Sequence, residues 1–590
     1  MGNMGRILSL DGLRDTVRAY SLRKFRSDFI AGLTVAVIDL PQAMAYALIA
    51  GVPPQYGIYT TVIQGVLGAL LSTSQRVTTG PTNTQSLLIA SAVARAMGAE
   101  QDPQIYLQLV FCLTLLKGLI QIGFALARFG DLVRFISRSV ILGVASGAGV
   151  LIIVGQIGAL IGIERDHASR LPGVIGAIAS YGSNLAQPNL LTLAIGAGCV
   201  FVVIGGRFIS KFVPGALIAV VLSATTVAMF GWSDQVRVVG EVTGGLPSLS
   251  WPVVPDWALV SALIPGALAL AMMGGIEAIA IGKTLAHRTG DRINANQEFL
   301  AQGAAGLVGS FTQCMPASGS FTRSALIHDA GAASRFAAVI DALLVGTIFF
   351  LLADFARYIP LAALAAVLFV VALGLIDFRY PFRTWQADRS DAIVFLATFL
   401  ATLLLPLEYA IFAGIFLNIA FYLRSAARLH IAEMVPTDTG TFFERPIYDK
   451  AGNRQVIFVQ LEGELFFAVA DDLHEQLTAL RNSGVRVVIL RLKRTHSIDA
   501  SILHVLELFV REMRERGNHV LLCGLKPDLK RQLAGYGLIN LIGKDNVFET
   551  GGGVFTSAKR AVQRARQLVD RSIDTSELKL DDEDEIEYQI

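Results

Sequence analysis

Ser318-Gly319-Ser320-Phe321-Thr322-Arg323-Ser324 sets a permanently charged arginine among small and hydroxylated residues in a strongly apolar part of the chain. A charged side chain within hydrocarbon costs at least ~2.5–3.5 kcal/mol on insertion scales, so Arg323 is expected to face a protein-lined cavity and to have a counter-ion or a ligand. Just upstream, Pro316 and Gly319 interrupt the backbone, and Ser320 is suited to capping a new helix whose first N–H groups lack intrahelical partners. A helix start beside an arginine is anion-binding chemistry. The same device occurs at Val77-Thr78-Thr79-Gly80-Pro81-Thr82-Asn83-Thr84, where Gly80 and Pro81 break the backbone before a short apolar helix expected over Asn83 to Met97. Each break lies roughly 50–60 residues beyond the start of a long apolar span (Phe29 to Ala50, Ala258 to Gly282), the spacing of an inverted-repeat transporter whose half-helix N-termini converge. Two unrelated Gly/Pro kinks are the plainer reading, and the matched positions count against it.

Three more charges within apolar runs are candidates for the same chemistry. Glu277, in Gly274-Gly275-Ile276-Glu277, precedes Lys283 by six helical steps, about 9 Å. It reads either as the counter-ion of Arg323 or as a carboxyl that titrates or holds a cation, Na+ included, while an anion moves. Asp39, in Val37-Ile38-Asp39-Leu40-Pro41, and Lys117, in Leu116-Lys117-Gly118, each stand near the middle of a span. They are expected to pair with each other; the rival reading makes Asp39 a second ion-coupling carboxyl beside Glu277.

These side chains must be positioned by membrane helices. Of the 590 residues, 53% are hydrophobic and 16% charged, with a positive mean hydropathy, which excludes an ordinary soluble enzyme. Net charge is near zero and says nothing of partners. Apolar runs are expected at about 29–50, 55–73, 83–97, 105–127, 135–162, 187–206, 212–231, 258–282, 294–313, 320–331, 334–353, 359–376, 390–406 and 408–423, some too short to cross alone. The basic lead-in, residues 1–28, and loop residues such as Arg128, Arg207, Lys283, Arg383 and Arg424 put both termini in the cytoplasm. No short apolar leader with a cleavage site begins the chain, so its first span is expected to remain in the mature protein. Residues 29–425 thus read as a transmembrane domain.

Beyond Arg428 the pattern becomes alternating strand and amphipathic helix: strands over Val456–Phe467, Val485–Leu492 and His519–Gly524, helices over Asp471–Asn482, Ser501–Gly517, Pro527–Leu538 and Thr556–Asp570. Residues 430–572 are read as a small α/β domain and 573–590 as an acidic disordered tail. Ser501, after Asp499-Ala500, is expected to cap its helix rather than to be modified. The cysteines Cys112, Cys199, Cys314 and Cys523 lack metal-ligand spacing, and neither a disulfide framework nor a cofactor is expected.

Four stretches resemble the sulfate permease (SulP) family of anion transporters: Asp28 to Val35 with Pro41 to Ala47, Ala50 to Tyr59, Thr79 to Thr82, and Ser318 to Ser324. The C-terminal domain resembles the STAS fold. The resemblance implies an α-helical polytopic membrane protein of fourteen segments in two inverted repeats of seven, split into core and gate domains that move as an elevator, and a homodimer. It also implies an anion site between the third and tenth segments, with help from the first and eighth. Carried onto this chain, that site is Gln42, Tyr46, Thr82, Asn83, Thr84, Glu277, Ser320, Phe321, Thr322 and Arg323. Relatives often carry small residues where this chain has Thr82-Asn83-Thr84. Phe321 reads as packing, and Ser320 and Thr322 as caps or anion contacts. The expected function is secondary active transport of sulfate, bicarbonate or a dicarboxylate across an inner (plasma) membrane, by H+ or Na+ symport or by exchange. An anion channel or STAS-linked sensor, and a nucleobase symporter, are the alternatives; no enzymatic activity and no nucleic-acid partner are expected.

Overall fold

The computed structural model describes residues 11–98, 102–131, 137–163, 174–175, 178, 181, 188–209, 213–240, 245, 247–252, 256–291, 293–436, 442–446, 455–551 and 555–569. The expected tail, 573–590, lies outside them. The chain divides into two compact units, Met1–Ile419 and Ala420–Ile590.

Among the described residues the first unit is helical apart from two two-residue strands. In order it runs α1 (Asp11–Arg18), α2 (Leu22–Ile49), α3 (Pro54–Leu71), β1 (Thr79–Gly80), α4 (Asn83–Met97), α5 (Pro103–Leu126), α6 (Arg138–Ile161), α7 (Leu190–Ile209), α8 (Gly215–Phe230), α9 (Trp257–Thr289), α10 (Ala295–Ser310), β2 (Ser318–Gly319), α11 (Phe321–Asp329), α12 (Phe336–Ala356), α13 (Leu361–Leu373), α14 (Tyr380–Ala387), α15 (Arg389–Leu404) and α16 (Leu407–Ala426). Each expected apolar run contains a helix. Of these helices, six among the described residues are long and apolar enough to cross a membrane on their own. α14 was not expected; its Phe382 and Trp385 are exposed.

Local chemistry explains the starts. Pro54 and Pro103 open α3 and α5, where a missing N–H costs nothing. Ser21, Asp102 and Asp256 cap α2, α5 and α9 with side-chain oxygens. Large apolar side chains such as Phe201, Phe208, Leu351 and Phe416 point outward, a surface suited to lipid. Small residues bring the site helices together. A Cβ on Gly118 of α5 would lie 2.8 Å from the Leu307 nitrogen of α10, and one on Gly303 would lie 2.9 Å from the Gly118 carbonyl oxygen, so only glycine allows this crossing.

The second unit holds β3 (His430–Pro436), β4 (Phe442–Arg445), β5 (Val456–Leu465), α17 (Ala470–Asn482), β6 (Val487–Ile498), α18 (Ala500–Glu515), β7 (His519–Leu525), α19 (Pro527–Gly535), α20 (Leu538–Ile542), β8 (Val547–Glu549) and α21 (Thr556–Leu568). The sheet order is β4-β3-β5-β6-β7-β8. β5 through β8 are parallel, and β3 is antiparallel to both of its neighbours. Parallel strands need cover on both faces. One face packs under α17, α18, α19 and α20, the other under α21, through Ala558, Ala561, Val562 and Ala565. The sequence reading missed β3, β4 and β8, which lie at the sheet margins, and ended β6 six residues early because Lys493, Arg494 and Thr495 interrupt its apolar run. Ser501 is not the cap of α18. Asp499 is, accepting from the Ile502 N–H at 3.0 Å, and Ser501 lies exposed in the first turn. The four cysteines are buried free thiols; in this unit burial pushes the Cys523 thiol up to about 12, against the pull of Arg491.

Candidate functional site

The two backbone breaks meet. β1 and β2 pair antiparallel, Thr79 opposite Gly319 and Gly80 opposite Ser318. The Ser320 N–H donates to the Thr78 carbonyl at 3.0 Å, and the Thr78 N–H to Ser324 Oγ at 3.0 Å. From this crossover α4 and α11 begin, each with a hydroxyl cap: Thr82 Oγ1 accepts from the Gln85 N–H and Ser320 Oγ from the Arg323 N–H, both at 3.4 Å. The Thr82 and Ser318 hydroxyls lie 3.0 Å apart. Two positive helix ends are therefore held together, and the first N–H groups of each, at Asn83, Thr84, Phe321 and Thr322, have no intrahelical acceptor.

Arg323 is fully buried. Its Nη1 donates to Asp39 Oδ1 at 2.7 Å and Oδ2 at 2.9 Å, and its Nη2 donates to the Pro81 carbonyl at 2.9 Å. Gly80 makes this possible, because a Cβ there would stand 2.6 Å from Nη1. Two sequence expectations are corrected. Asp39 pairs with Arg323 and not with Lys117, and the counter-ion of Arg323 is Asp39 rather than Glu277. The reason is which face of each helix meets the breaks. On α5, Thr114 and Lys117 are three residues apart on one face, and that face meets the backbone leading into β2: Thr114 Oγ1 donates to the Cys314 carbonyl at 2.9 Å, and Lys117 Nζ to the Ala317 carbonyl. Asp39, on α2, reaches the guanidinium as it folds back beneath Gly80.

Glu277 belongs to the other side of the crossover. It accepts from Ser318 Oγ at 2.7 Å and from the Thr84 hydroxyl, and it stands within electrostatic reach of Lys117. Tyr46 is buried within reach of Arg323 and Asp39. Gln42 is buried on the same helix, three residues after Asp39. Asn83 Nδ2 is buried without a hydrogen-bond partner. Phe321 is 49% exposed rather than packed into the core, which corrects the reading of it as filler, and Thr322 beside it is also exposed.

The crossover thus gathers Asp39, Tyr46, Thr82, Thr84, Glu277, Ser320 and Arg323, while Phe321 and Thr322 face outward. The sequence reading missed four contributors. Ser318 links Glu277 to Thr82, and the Pro81 carbonyl holds the guanidinium. Gln302 of α10 donates to Thr79 Oγ1 at 2.7 Å. Asp341 of α12 is buried within electrostatic reach of Asp39 and Arg323. An acid set among the apolar residues of Phe336 to Ala356, well inside the helix, is the signal that would have found it. Buried Glu408 and part-exposed Arg95 form a further ion pair, and Ser91 donates to Glu408 at 2.8 Å.

The model of the sulfate permease family matches residues 25–398, and that of the STAS domain residues 448–552. The putative sulfate transporter YvdB of Bacillus subtilis is 28% identical over 541 residues, covering 90% of this chain and 97% of that protein. The chloroplastic sulfate transporter 4.1 of Arabidopsis thaliana is also 28% identical, over 543 residues, covering 89% of this chain and 78% of the plant protein. Among solved structures, murine Slc26a9, an anion transporter in an inward-facing state, superposes with a TM-score of 0.84 at 19% identity, over 95% of this chain and 94% of its own. The transmembrane domain of the cyanobacterial bicarbonate transporter BicA superposes with a TM-score of 0.59 at 24% identity, over 68% of this chain and 98% of its own. These similarities show an SLC26-like helical membrane domain joined to a STAS domain.

Proposed function

The chain belongs to the sulfate permease family and carries a STAS domain, and from that premise we propose that it moves a small anion across a membrane by secondary active transport. The substrate class is sulfate, bicarbonate or a dicarboxylate. The single observation that carries this reading is the crossover, where two capped helix N-termini and a buried arginine concentrate positive potential while Asp39 and Glu277 oppose it. The anion is held by the free N–H groups of Asn83, Thr84, Phe321 and Thr322 and by the hydroxyls of Thr82, Thr84 and Ser320, with Gln42 and Tyr46 closing the site from α2. Arg323 lends charge from behind Gly80 and keeps Asp39 as its fixed partner.

The driving ion, H+ or Na+, acts through Glu277 and Asp39, the carboxylates nearest the anion. The helices carrying the crossover move together, in the manner of an elevator, within a homodimer of an inner (plasma) membrane, with both termini cytoplasmic. The STAS domain regulates or targets the protein and takes no part in permeation, so protein truncated near Arg424 keeps its substrate selectivity.

Reconstitution tests the reading. Liposomes holding the full-length protein are expected to accumulate labelled sulfate, bicarbonate or a dicarboxylate saturably when pH and Na+ gradients are imposed separately. Conductance without concentrative uptake would replace the transporter with a channel.

A further inference from the structure

α14 is joined to two apolar helices by short links: residues 374–379 separate it from α13, and Asp388 alone separates it from α15. It is therefore held at the boundary of the apolar layer. Tyr380, Pro381 and Thr384 lie on its inner face and are partly buried. Phe382 and Trp385, three residues apart on another face, are 75% and 52% exposed, and Phe378, in the link before the helix, is 67% exposed. The inner face is pinned. The Tyr380 hydroxyl lies 2.9 Å from Ser139 Oγ at the start of α6, and its ring centroid stands 5.5 Å from that of Phe395 on α15. Asp377 Oδ1 accepts from the N–H groups of Arg379 and Tyr380 at 3.0 and 2.9 Å. With these contacts made, α14 cannot roll to bury its aromatic rings.

Charge follows the same division. Arg379, at the helix cap, and Arg383, one turn on, are exposed on the flank between the two faces, and exposed Arg389 follows at the start of α15. Among the described residues, no side-chain hydrogen bond or ion pair engages these three arginines. The nearby acids have other tasks. Asp377 is taken up by backbone N–H groups, Asp388 accepts from the Ser390 N–H at 2.8 Å as the cap of α15, and Asp391 stands in the first turn of that helix. Directly afterwards the exposed row Ile393, Leu396, Leu400 and Leu404 runs along α15, a stripe suited to lipid. Aromatic rings settle at the headgroup level of a bilayer, and arginines beside them reach for phosphate, which a guanidinium matches with two parallel N–H donors.

We propose that α14 is a binding site for anionic phospholipid headgroups. Phe378, Phe382 and Trp385 enter the boundary between headgroups and acyl chains, while Arg379, Arg383 and Arg389 hold the phosphate. The arginines put this site at the cytoplasmic leaflet, where anionic lipids gather and each basic residue strengthens the attraction several-fold. A lipid held there sets the depth of α13 and α15, and through the Tyr380–Ser139 contact that of α6. The site is separate from the crossover and does not depend on which anion is moved.

Tryptophan quenching tests this without any transport substrate. Trp232→Phe, Trp251→Phe and Trp257→Phe leave Trp385 as the sole tryptophan of the full-length protein. This parent is reconstituted in vesicles of phosphatidylcholine and phosphatidylglycerol, with bromine on the acyl chains of one lipid or the other; bromine quenches only at close contact. Brominated phosphatidylglycerol is expected to quench Trp385 at least about twofold more per mole than brominated phosphatidylcholine. Adding Arg379→Gln and Arg383→Gln is expected to abolish that preference while quenching by both lipids persists. Quenching by neither lipid means that a protein surface, such as a second copy of the chain, covers the aromatic face, and overturns the proposal. Equal quenching by the two lipids in the parent, or a preference that survives the glutamines, also overturns it. Should the parent not fold, phosphatidylglycerol retained by the purified protein is counted by native mass spectrometry for the unmodified chain and for the double glutamine variant. Fewer retained lipids in the variant support the site, and equal counts overturn it.

Discussion

The two sides of the crossover bury charge in different ways. On one side Arg323 grips Asp39 through both carboxylate oxygens. On the other, Glu277 and Lys117 meet through intermediaries: the carboxylate accepts from the Ser318 and Thr84 hydroxyls and the ammonium binds the Ala317 carbonyl. A carboxylate whose two oxygens both accept from one guanidinium nitrogen is held by strong, charge-assisted hydrogen bonds. A pair mediated by hydroxyls can exchange partners without stranding a charge. The first therefore builds the site and the second leaves room for a ligand or proton to come and go.

The largest effect should come from splitting the direct pair. Arg323→Ala or Asp39→Ala leaves an uncompensated buried charge and is expected to cost roughly 3–5 kcal/mol, while replacing both with apolar residues recovers most of it. Thermal unfolding of the two single variants and the double variant reads this out, and additive losses would show that the two side chains do not act as a unit. Arg323→Ala should also abolish anion binding at equilibrium.

Glu277→Gln comes next. It removes charge-assisted hydrogen bonds worth about 1.5–3 kcal/mol but leaves Ser318 and Thr84 an amide to bond. The variant should fold, keep exchange and lose gradient-driven accumulation; concentrative uptake equal to wild type would place coupling elsewhere.

Gly80→Ala sharpens the contrast from the backbone side. The new methyl would stand 2.6 Å from Arg323 Nη1, so the guanidinium must shift. The expected loss is about 1–3 kcal/mol, with weaker anion binding and no effect on the Glu277 side. Equal stability to wild type in chemical denaturation would mean that Arg323 has another resting place.

The smallest effect is expected at the caps. Thr82→Ala or Ser320→Ala removes one cap acceptor, about 1 kcal/mol each. Thr82→Ala should also disturb Ser318 and through it Glu277, whereas Ser320→Ala should not. Identical pH profiles of uptake for the two variants would contradict that separation.

Much of this was legible before any coordinates. Apolar runs marked each membrane helix because hydrocarbon demands them, and Gly-Pro interruptions marked both breaks because few other residues stop such a helix. The half-helix from Asn83 to Met97 and the Ser320 cap follow from the same local rules. Partners did not follow. That Asp39 belongs to Arg323 depends on which face of α2 meets the guanidinium beneath Gly80, a matter of helix rotation and depth that residue type does not encode. Asp341 carried a signal, an acid among apolar residues, but that signal names no partner until the neighbouring helices are known. The edge strand β4 was missed because a short strand at a sheet margin, half exposed, has too little apolar alternation to stand out, and its inner neighbour β3 because His430 and Glu433 interrupt its apolar residues.

The Asp39–Arg323 pair joins residues 284 positions apart in the chain. At roughly 5–20 residues per second of synthesis, the acid emerges about 15–60 s before its arginine exists. Throughout that interval the nascent protein holds an orphan carboxyl in its first membrane helix. Either that helix waits at the edge of the insertion machinery, where water is at hand, or it enters the bilayer protonated and ionises only when Arg323 arrives. Final assembly of the membrane domain is thereby tied to completion of its second half, and chains halted before residue 323 should be recognised and degraded rather than accumulate as stable halves.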